Sequence, residues 1–212
     1  MTRSWLASSN TWPTSPDVHR VRSPLVFEPE PTKGSRFRAL VVPVADEAEA
    51  RAAHAELAAA MPDASHHCWA WRFAVPAIER AGDDGEPGGS AGRPILAQLA
   101  GRDIVHTAVI VSRWFGGTKL GVGGLVRAYG GAAAQALDRA ELVPWVAEVA
   151  VTVTHDHVDS NPVEHVIRAL AVTEVDVGWG TRVTRYLTVP EPVIEEFWAR
   201  LSDATSGRVS KP

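Results

Sequence analysis

Cysteine is nearly absent from this sequence, and its scarcity restricts the chemistry open to the chain. Cys68 is the single cysteine in 212 residues, so an internal disulfide and any multi-cysteine metal site are excluded. The sequence also lacks an apolar run approaching the roughly 20 residues of a membrane span. Prolines and polar residues interrupt its start before the core of a signal peptide could form. We therefore expect a globular protein of the cytoplasm.

Charge of either sign is unevenly placed along the chain, which carries 25 acidic and 21 basic residues and a net charge of −4. Between Arg93 and Arg139, six basic residues outnumber two acidic ones, Asp103 and Asp138, so this segment carries +4. From Ala147 onward, ten acidic residues oppose six basic ones, so this part carries −4. The central segment therefore suits an anion, whereas the acidic C-terminal part is a poor candidate for non-specific nucleic-acid binding.

The pattern of apolar residues predicts an α+β protein with a leader and two domains. Residues 1–32 hold several prolines and show little periodicity, which argues against a stable helix or strand and indicates an extended leader. A first domain is expected over 33–143 and a second over 147–209, with Pro144 and Trp145 at the junction. In the first domain, strands are predicted at 36–44, 66–75 and 104–111, and helices at 47–61, 94–100 and from about 125 onward.

The second domain shows a shorter pattern of its own. Strands are predicted at 149–153, 174–179 and 184–189, helices at 162–170 and 191–201, and a short last strand at 207–209. This βαββα order followed by a strand is typical of a ferredoxin-like domain.

A glycine-rich loop between the last predicted strand and helix of the first domain suits an anion. Its five glycines are Gly116, Gly117, Gly121, Gly123 and Gly124. Glycine permits positive φ and close backbone approach, and a helix start adds unpaired N–H groups at the positive end of the helix dipole. Arg113, Lys119 and Arg127 place positive charge around this loop. Its spacing fits neither a dinucleotide fingerprint nor a P-loop, and a tight turn with close helix packing stays open as a structural alternative.

A second glycine-rich loop, over 83–92, is acidic. Asp83, Asp84 and Glu86 could hold a hard cation such as Mg²⁺, or act as general acid and base in an enzyme. They could instead form ion pairs with basic residues, and the neighbouring basic loop favours this pairing. The candidate partners are Arg93, Arg113, Lys119 and Arg127. We therefore predict that the two loops meet in space, and we assign no metal or cofactor.

Cys68 follows two histidines in a predicted strand, which raises the question of a reactive thiol. A cysteine near a histidine has the chemistry of a nucleophile. A small buried sulfur on a core strand is the interpretation that we favour. A shared metal ion is disfavoured because consecutive strand residues point to opposite faces.

The two loops together resemble the paired signature of the YigZ/Impact family. The carrying stretches are DDGEPGGSAGRP and SRWFGGTKLGVGGLVRAY, where Gly88, Ser90 and Trp114 depart from the usual serine, threonine and tyrosine. Upstream, KGSRFRALVVPV and SHHCWAWRF are similar to two further family segments, so the resemblance covers roughly 33–208.

The resemblance carries expectations about fold and function. It implies a first domain like the C-terminal half of a small-subunit ribosomal protein and domain IV of elongation factor G, and a ferredoxin-like second domain. Because those relatives touch RNA and eukaryotic Impact proteins regulate translation, we expect a non-catalytic, translation-associated binding module. Its partner would be RNA, the ribosome or a translation-related protein. The alternative is an enzyme acting on a small phosphorylated or acidic substrate through Asp83, Asp84 and Glu86.

Overall fold

The computed structural model describes residues 18–209 and residue 211, and it confirms the predicted α+β class with two domains. Two compact units divide between Trp145 and Val146, next to the predicted junction. The part of the predicted leader within 1–17 lies outside the described residues. In the described part of the chain, no helix is long and apolar enough to cross a membrane.

The first unit is built around a five-stranded antiparallel sheet. In chain order its elements are β1 (His19–Val21), β2 (Leu25–Phe27), β3 (Arg36–Pro43), α1 (Glu47–Ala60), β4 (His66–Phe73), β5 (Ile78–Gly82), α2 (Gly92–Ala100), β6 (Thr107–Trp114), α3 (Val122–Leu137) and β7 (Leu142–Pro144). The strand order of the sheet is β2-β3-β6-β4-β5, while β1 and β7 form a separate two-stranded ribbon.

Helices cover both faces of this sheet. α2 and α3 lie on one face, over a core that includes Phe37, Cys68 and Val109. α1 lies on the other face, where Trp71 is buried near Ala50. The central strand β6 is buried along nearly its whole length, so it carries its C-terminal residues into the interior of the fold.

Helix α1 begins and ends where the local sequence predicts. The Asp46 side chain accepts hydrogen bonds from the N–H groups of Ala48 and Glu49, which satisfies donors that would otherwise be unpaired at the helix start. The helix ends at Ala60, before Pro62. The predicted start and end of α1 are therefore confirmed.

Several predicted strand positions were wrong because pairing with another strand decides them, and a single segment does not reveal its partner. Strands β1 and β2 lie within the segment predicted to hold no stable strand. β1 pairs with the distant strand β7, and β2 pairs with β3, the next strand along the chain. Strand β5 occupies a stretch where no strand was predicted and pairs with β4. Strand β6 begins at Thr107 rather than at 104, because His106 adopts a left-handed φ of 47° just before it.

The second unit contains β8 (Glu148–His155), α4 (Ser160–Ala169), β9 (Thr173–Trp179), β10 (Val183–Pro190) and α5 (Ile194–Ala204). Its antiparallel sheet has the order β8-β10-β9, so β10 lies between the two strands that α4 connects. This is the predicted βαββα succession. The predicted last strand at 207–209 was wrong: Gly207 has a φ of 78°, and the Val209 N–H donates to Thr205 Oγ1, so the chain turns after α5.

Candidate functional site

The acidic loop over 83–92 is organised by Asp83, whose carboxylate closes the turn that leads into α2. Its Oδ1 accepts hydrogen bonds from the N–H groups of Ala91 and Gly92 at 2.9 and 2.8 Å. Its Oδ2 accepts another from the Gly89 N–H at 2.7 Å. Burial opposes ionisation, but these three donors and the nearby Arg93 outweigh it and hold the pKa of Asp83 below its ordinary value. Asp83 is therefore an anchor of the loop.

Asp84 joins the acidic loop to strand β4. It adopts a left-handed φ of 43°, which aspartate tolerates better than most side chains. Its Oδ2 accepts a hydrogen bond from the His67 backbone N–H at 2.6 Å, and its carbonyl oxygen accepts one from His66 Nδ1 at 2.7 Å. The expectation that Asp84 neutralises an arginine was wrong, since within 18–209 and 211 it forms no ion pair.

Glu86 is the carboxylate that meets the basic loop. Its Oε1 lies 2.5 Å from Arg113 Nη1 and accepts a hydrogen bond from the Tyr129 hydroxyl at 2.8 Å. The side chains of Glu86 and Arg113 are only 4% and 6% exposed. The prediction that the two loops meet is therefore confirmed at this ion pair, which is buried between β6 and α3.

The same pair corrects one assignment of the sequence analysis. Arg113 was predicted to bind an anion, but it lies in β6, inside the fold, and Glu86 neutralises it. Its Nη2 also donates a hydrogen bond to Ser35 Oγ at 3.2 Å. The reason is the length of β6, which extends three residues beyond the predicted strand and therefore includes Arg113.

The three carboxylates face different partners and do not converge on one point. Across the described residues, no group of three His, Cys, Asp or Glu side chains is placed to hold a metal ion. Asp83 binds backbone N–H groups, Asp84 binds β4 and Glu86 binds Arg113. Each carboxylate has a structural partner that accounts for its position.

Cys68 is buried in the core, as the favoured interpretation predicted. Its Sγ donates a hydrogen bond to the Asp83 carbonyl oxygen at 3.0 Å. Burial raises the pKa of the Cys68 thiol to about 12, so the thiol stays protonated at neutral pH. A neutral, buried thiol lacks the character of a nucleophile.

The basic loop over 115–121 is shaped by close backbone contact. A Cβ on Gly116 would lie 1.9 Å from the carbonyl carbon of Gly34, so only glycine fits there. The Gly116 N–H donates to Ser35 Oγ at 3.3 Å. Gly121, with a φ of 69°, is the N-cap residue of α3. The loop is thereby fixed against the turn at 33–35, which the sequence analysis did not include in the site.

Three cations near this loop have no acidic partner. Lys33, Lys119 and Arg127 form no ion pair with any other residue that the structure describes. Lys119 and Arg127 are exposed, and Lys33 and Arg127 line one pocket of about 160 Å³ together with Thr32, Leu120, Gly124 and Ala128. The two loops therefore differ in a simple way: each carboxylate of the acidic loop has a hydrogen-bond or ion-pair partner within the fold, and the cations at the basic loop have no acidic partner among the described residues.

The start of α3 adds to this positive surface. Gly121 supplies no side-chain cap, no described side chain forms a cap hydrogen bond there, and the first turn has no acidic residue. The N–H groups of the first turn and the positive end of the helix dipole therefore lie beside the unpaired cations. Loop glycines, helix start and cations together can hold an anion.

Lys33 and Ser35 are the site residues that the sequence analysis missed. They precede β3, roughly 80 residues before the basic loop, and Ser35 contacts both Arg113 and Gly116. The KGS triplet was noted in the sequence only as part of a family segment. Its contact with the basic loop depends on β3 pairing with β6, which no local pattern reveals.

Comparison with known proteins agrees with this architecture. The Impact N-terminal domain signature matches residues 33–137, and that of a domain of unknown function (DUF1949) matches residues 153–208. An IMPACT family member from Haemophilus influenzae is 34% identical over 89% of this chain and 92% of that protein. The IMPACT family member YigZ of Escherichia coli is 32% identical over 84% of this chain and 89% of its own.

A solved structure shows the same fold. The crystal structure of a hypothetical protein superposes with a TM-score of 0.70 at 30% identity, covering 91% of this chain and 95% of that chain. The sequence matches extend over both domains and include the two loops. The chain belongs to the IMPACT family.

Proposed function

We propose that this protein is a non-catalytic, translation-associated binding module whose basic glycine-rich loop holds RNA. One observation carries the proposal: Lys33, Lys119 and Arg127 stay unpaired beside the uncapped start of α3, while each carboxylate of the adjacent loop has a partner. Unpaired Lys and Arg side chains are the groups that neutralise backbone phosphates. The predicted anion-binding set is thus retained with Lys33 in place of Arg113.

The exposed glycines of the loop leave its backbone N–H groups accessible to a ligand. Among the exposed residues of the loop region are Gly117, Gly121 and Gly123, and an added Cβ on Gly117 or Gly121 would meet no atom within 4 Å. A phosphate can therefore approach the backbone N–H groups without displacing a side chain. The residues proposed to bind RNA are Lys33, Gly116, Gly117, Lys119, Gly121, Gly123, Gly124 and Arg127.

The enzyme alternative has weaker support. Its candidate groups, Asp83, Asp84 and Glu86, are engaged with the backbone of the loop, with β4 and with Arg113. The two pockets that border Arg127 have volumes of about 160 and 170 Å³, below the roughly 300–1,000 Å³ of small-molecule sites. These features favour a surface that binds a polymer.

The link to translation rests on family membership and on the resemblance of the fold to RNA-contacting domains. Fold alone does not dictate function, so the proposal needs a direct test. A translation-related protein with an acidic surface is the other ligand that the same cations could bind, and the experiment below separates it from RNA.

The test is the salt dependence of RNA binding. The wild-type protein should bind a single-stranded RNA oligonucleotide at low salt, with an affinity that falls as salt rises. The double variant Lys119→Ala/Arg127→Ala should bind more weakly, and its log–log salt slope should be smaller by about 0.7 per lost phosphate contact.

A matched control removes the same charge elsewhere in the first domain. Arg51 and Arg80 are exposed and lie near Glu47, away from the basic loop, so Arg51→Ala/Arg80→Ala should keep the wild-type slope. An equal loss of slope in both double variants would show that net charge alone acts. If the wild-type protein does not bind RNA at low salt, the proposal fails and a protein ligand becomes the better assignment for the loop.

A further inference from the structure

One aromatic ring at the start of the basic loop is exposed although the two residues before it are not. Phe115 directly follows strand β6 and is 51% exposed. Arg113 is buried, and Trp114 is partly covered and donates a hydrogen bond from Nε1 to Asp63 at 2.8 Å. The Phe115 ring therefore contributes little to the core, so core packing does not account for an aromatic residue at this position.

Contacts with Ser65 and Arg113 hold Phe115 in position. Its backbone N–H donates a hydrogen bond to Ser65 Oγ at 3.2 Å. The guanidinium carbon of Arg113 lies 5.6 Å from the centre of the ring, within the range of a cation–π contact. Because Glu86 and Ser35 hold that guanidinium, the ring has a fixed support beneath it.

The exposed ring is connected to the unpaired cations through the backbone. Gly116, the next residue, lies against Gly34 so closely that neither tolerates a Cβ. Lys33 precedes Gly34 and lines one pocket with Arg127. Phe115 is therefore joined through the contact of Gly116 with Gly34 to Lys33, which lines the pocket that also contains Arg127 of α3.

We propose that Phe115 is a stacking platform for an unpaired base and that the ligand of the basic loop is single-stranded RNA. This inference rests on the proposed function and names its substrate class. An exposed aromatic ring next to a cationic groove is the arrangement that binds single strands, since every base offers a π-face to stack on. In an RNA duplex the bases already stack on one another, and proteins contact mainly the phosphates and 2′-hydroxyls.

In this proposal the cations and the aromatic ring have different roles in binding RNA. Lys33, Lys119 and Arg127 neutralise phosphates, which sets the salt dependence. Phe115 stacks on a base, which raises affinity without changing that dependence. A duplex can use only the cations, so it should be insensitive to the ring.

The experiment compares binding of a single-stranded 12-nucleotide RNA with binding of a duplex of the same length. Phe115→Ala should weaken binding of the single strand by about 5- to 150-fold, the range for the loss of one base stack, with an unchanged salt slope. Phe115→Trp should retain affinity, because a larger ring still stacks. Duplex affinity should be the same for all three proteins.

Val26→Ala is the control, because Val26 is a similarly exposed apolar residue, at 57%, on the separate edge strand β2. Thermal unfolding of each variant checks that the fold is kept, as expected for changes at exposed side chains. If Phe115→Ala binds the single strand as the wild type does while Lys119→Ala/Arg127→Ala flattens the salt slope, the stacking inference is overturned and the proposed function stands.

Two further outcomes also decide the matter. If neither variant changes RNA binding, both the inference and the proposed function fail. If the wild type binds the duplex more tightly than the single strand, Phe115 does not stack on an unpaired base and the inference is overturned. The same holds if Phe115→Ala weakens binding of the duplex as much as binding of the single strand.

Discussion

The two glycine-rich loops of the first domain differ in whether the fold supplies partners for their charged side chains. In the acidic loop, the Asp83 and Glu86 carboxylates accept hydrogen bonds from backbone N–H groups, from Arg113 and from Tyr129. At the basic loop, neither Lys119 nor Arg127 of the following helix α3 has an acidic partner among the described residues, and the start of α3 is uncapped. The comparison teaches that density of charge in a motif does not identify a binding site. What identifies it is charge that the fold leaves unpaired.

This contrast assigns different roles to the loops, and each role can be tested. Changes in the acidic loop should cost stability, because they break internal contacts. Changes to the exposed cations of the basic loop should cost binding and leave stability nearly intact.

The largest effect is expected for Glu86→Ala. Its removal leaves the Arg113 guanidinium buried without its carboxylate and the Tyr129 hydroxyl without an acceptor, so the free energy of unfolding should fall by about 3–5 kcal/mol. Chemical denaturation measures this. The matched control is Glu141→Ala, which breaks the exposed pair with Arg22 and should cost less than about 1 kcal/mol. Equal costs for the two variants would contradict the internal role of Glu86.

The second effect is steric. Gly116→Ala would place a Cβ 1.9 Å from the carbonyl carbon of Gly34, so the loop must move away from 33–35, at a cost of about 1–3 kcal/mol by the usual scale of overpacking. Gly131→Ala, in α3 with open space around its Cβ position, should instead stabilise the protein by up to about 1 kcal/mol. Thermal melts of the two variants should therefore shift in opposite directions.

The third effect depends on pH. Because the folded state holds the pKa of Asp83 below its ordinary value, this residue stabilises the fold above the unfolded pKa of about 4 and loses that contribution as the pH falls through the lower folded pKa. Asp83→Asn should cost about 1–3 kcal/mol at pH 7, since an amide nitrogen cannot accept the Gly89 N–H.

The comparison of pH profiles is the decisive part of the Asp83 test. Unfolding of the wild type and of Asp83→Asn should be followed between pH 7 and pH 2. The difference in stability between them should shrink as the pH falls below about 4. A constant difference over this range would mean that the carboxylate charge does not stabilise the loop.

How far the sequence could predict this arrangement depended on how local each signal was. Asp46 and the break at Pro62 were enough to place α1, because helix ends are decided within one turn. The meeting of the loops at Glu86 and Arg113 followed from their opposite charges. These were the parts of the fold and of the site that residue chemistry alone could reach.

The remainder required contacts between separate strands of the sheet. Strand β5 contains Gly82, which looks like a loop residue until the Trp69 ring is seen to occupy the space of its Cβ. Arg113 was assigned to the anion site because nothing in the local sequence shows that β6 extends to Trp114. Lys33 was missed for the converse reason: only the pairing of β3 with β6 brings it to the basic loop.

The smallest effect on stability is expected for the unpaired cations. Lys119→Ala/Arg127→Ala removes no ion pair that the structure describes, so the free energy of unfolding should change by no more than about 0.5 kcal/mol. The same variant should bind RNA more weakly than the wild type. Chemical denaturation and a binding titration on one preparation measure both quantities, and a large loss of stability would contradict the division of roles between the loops.

The most direct measurement of that division is amide chemical-shift mapping during titration with a single-stranded RNA oligonucleotide. The account predicts that the backbone amides of 116–124 and of the turn at 33–35 shift as RNA is added. It predicts that those of the acidic loop, 83–92, and of the second domain, 146–209, stay in place. Shifts concentrated in the acidic loop or in the second domain, with 116–124 unchanged, would contradict the assignment of the basic loop as the binding site.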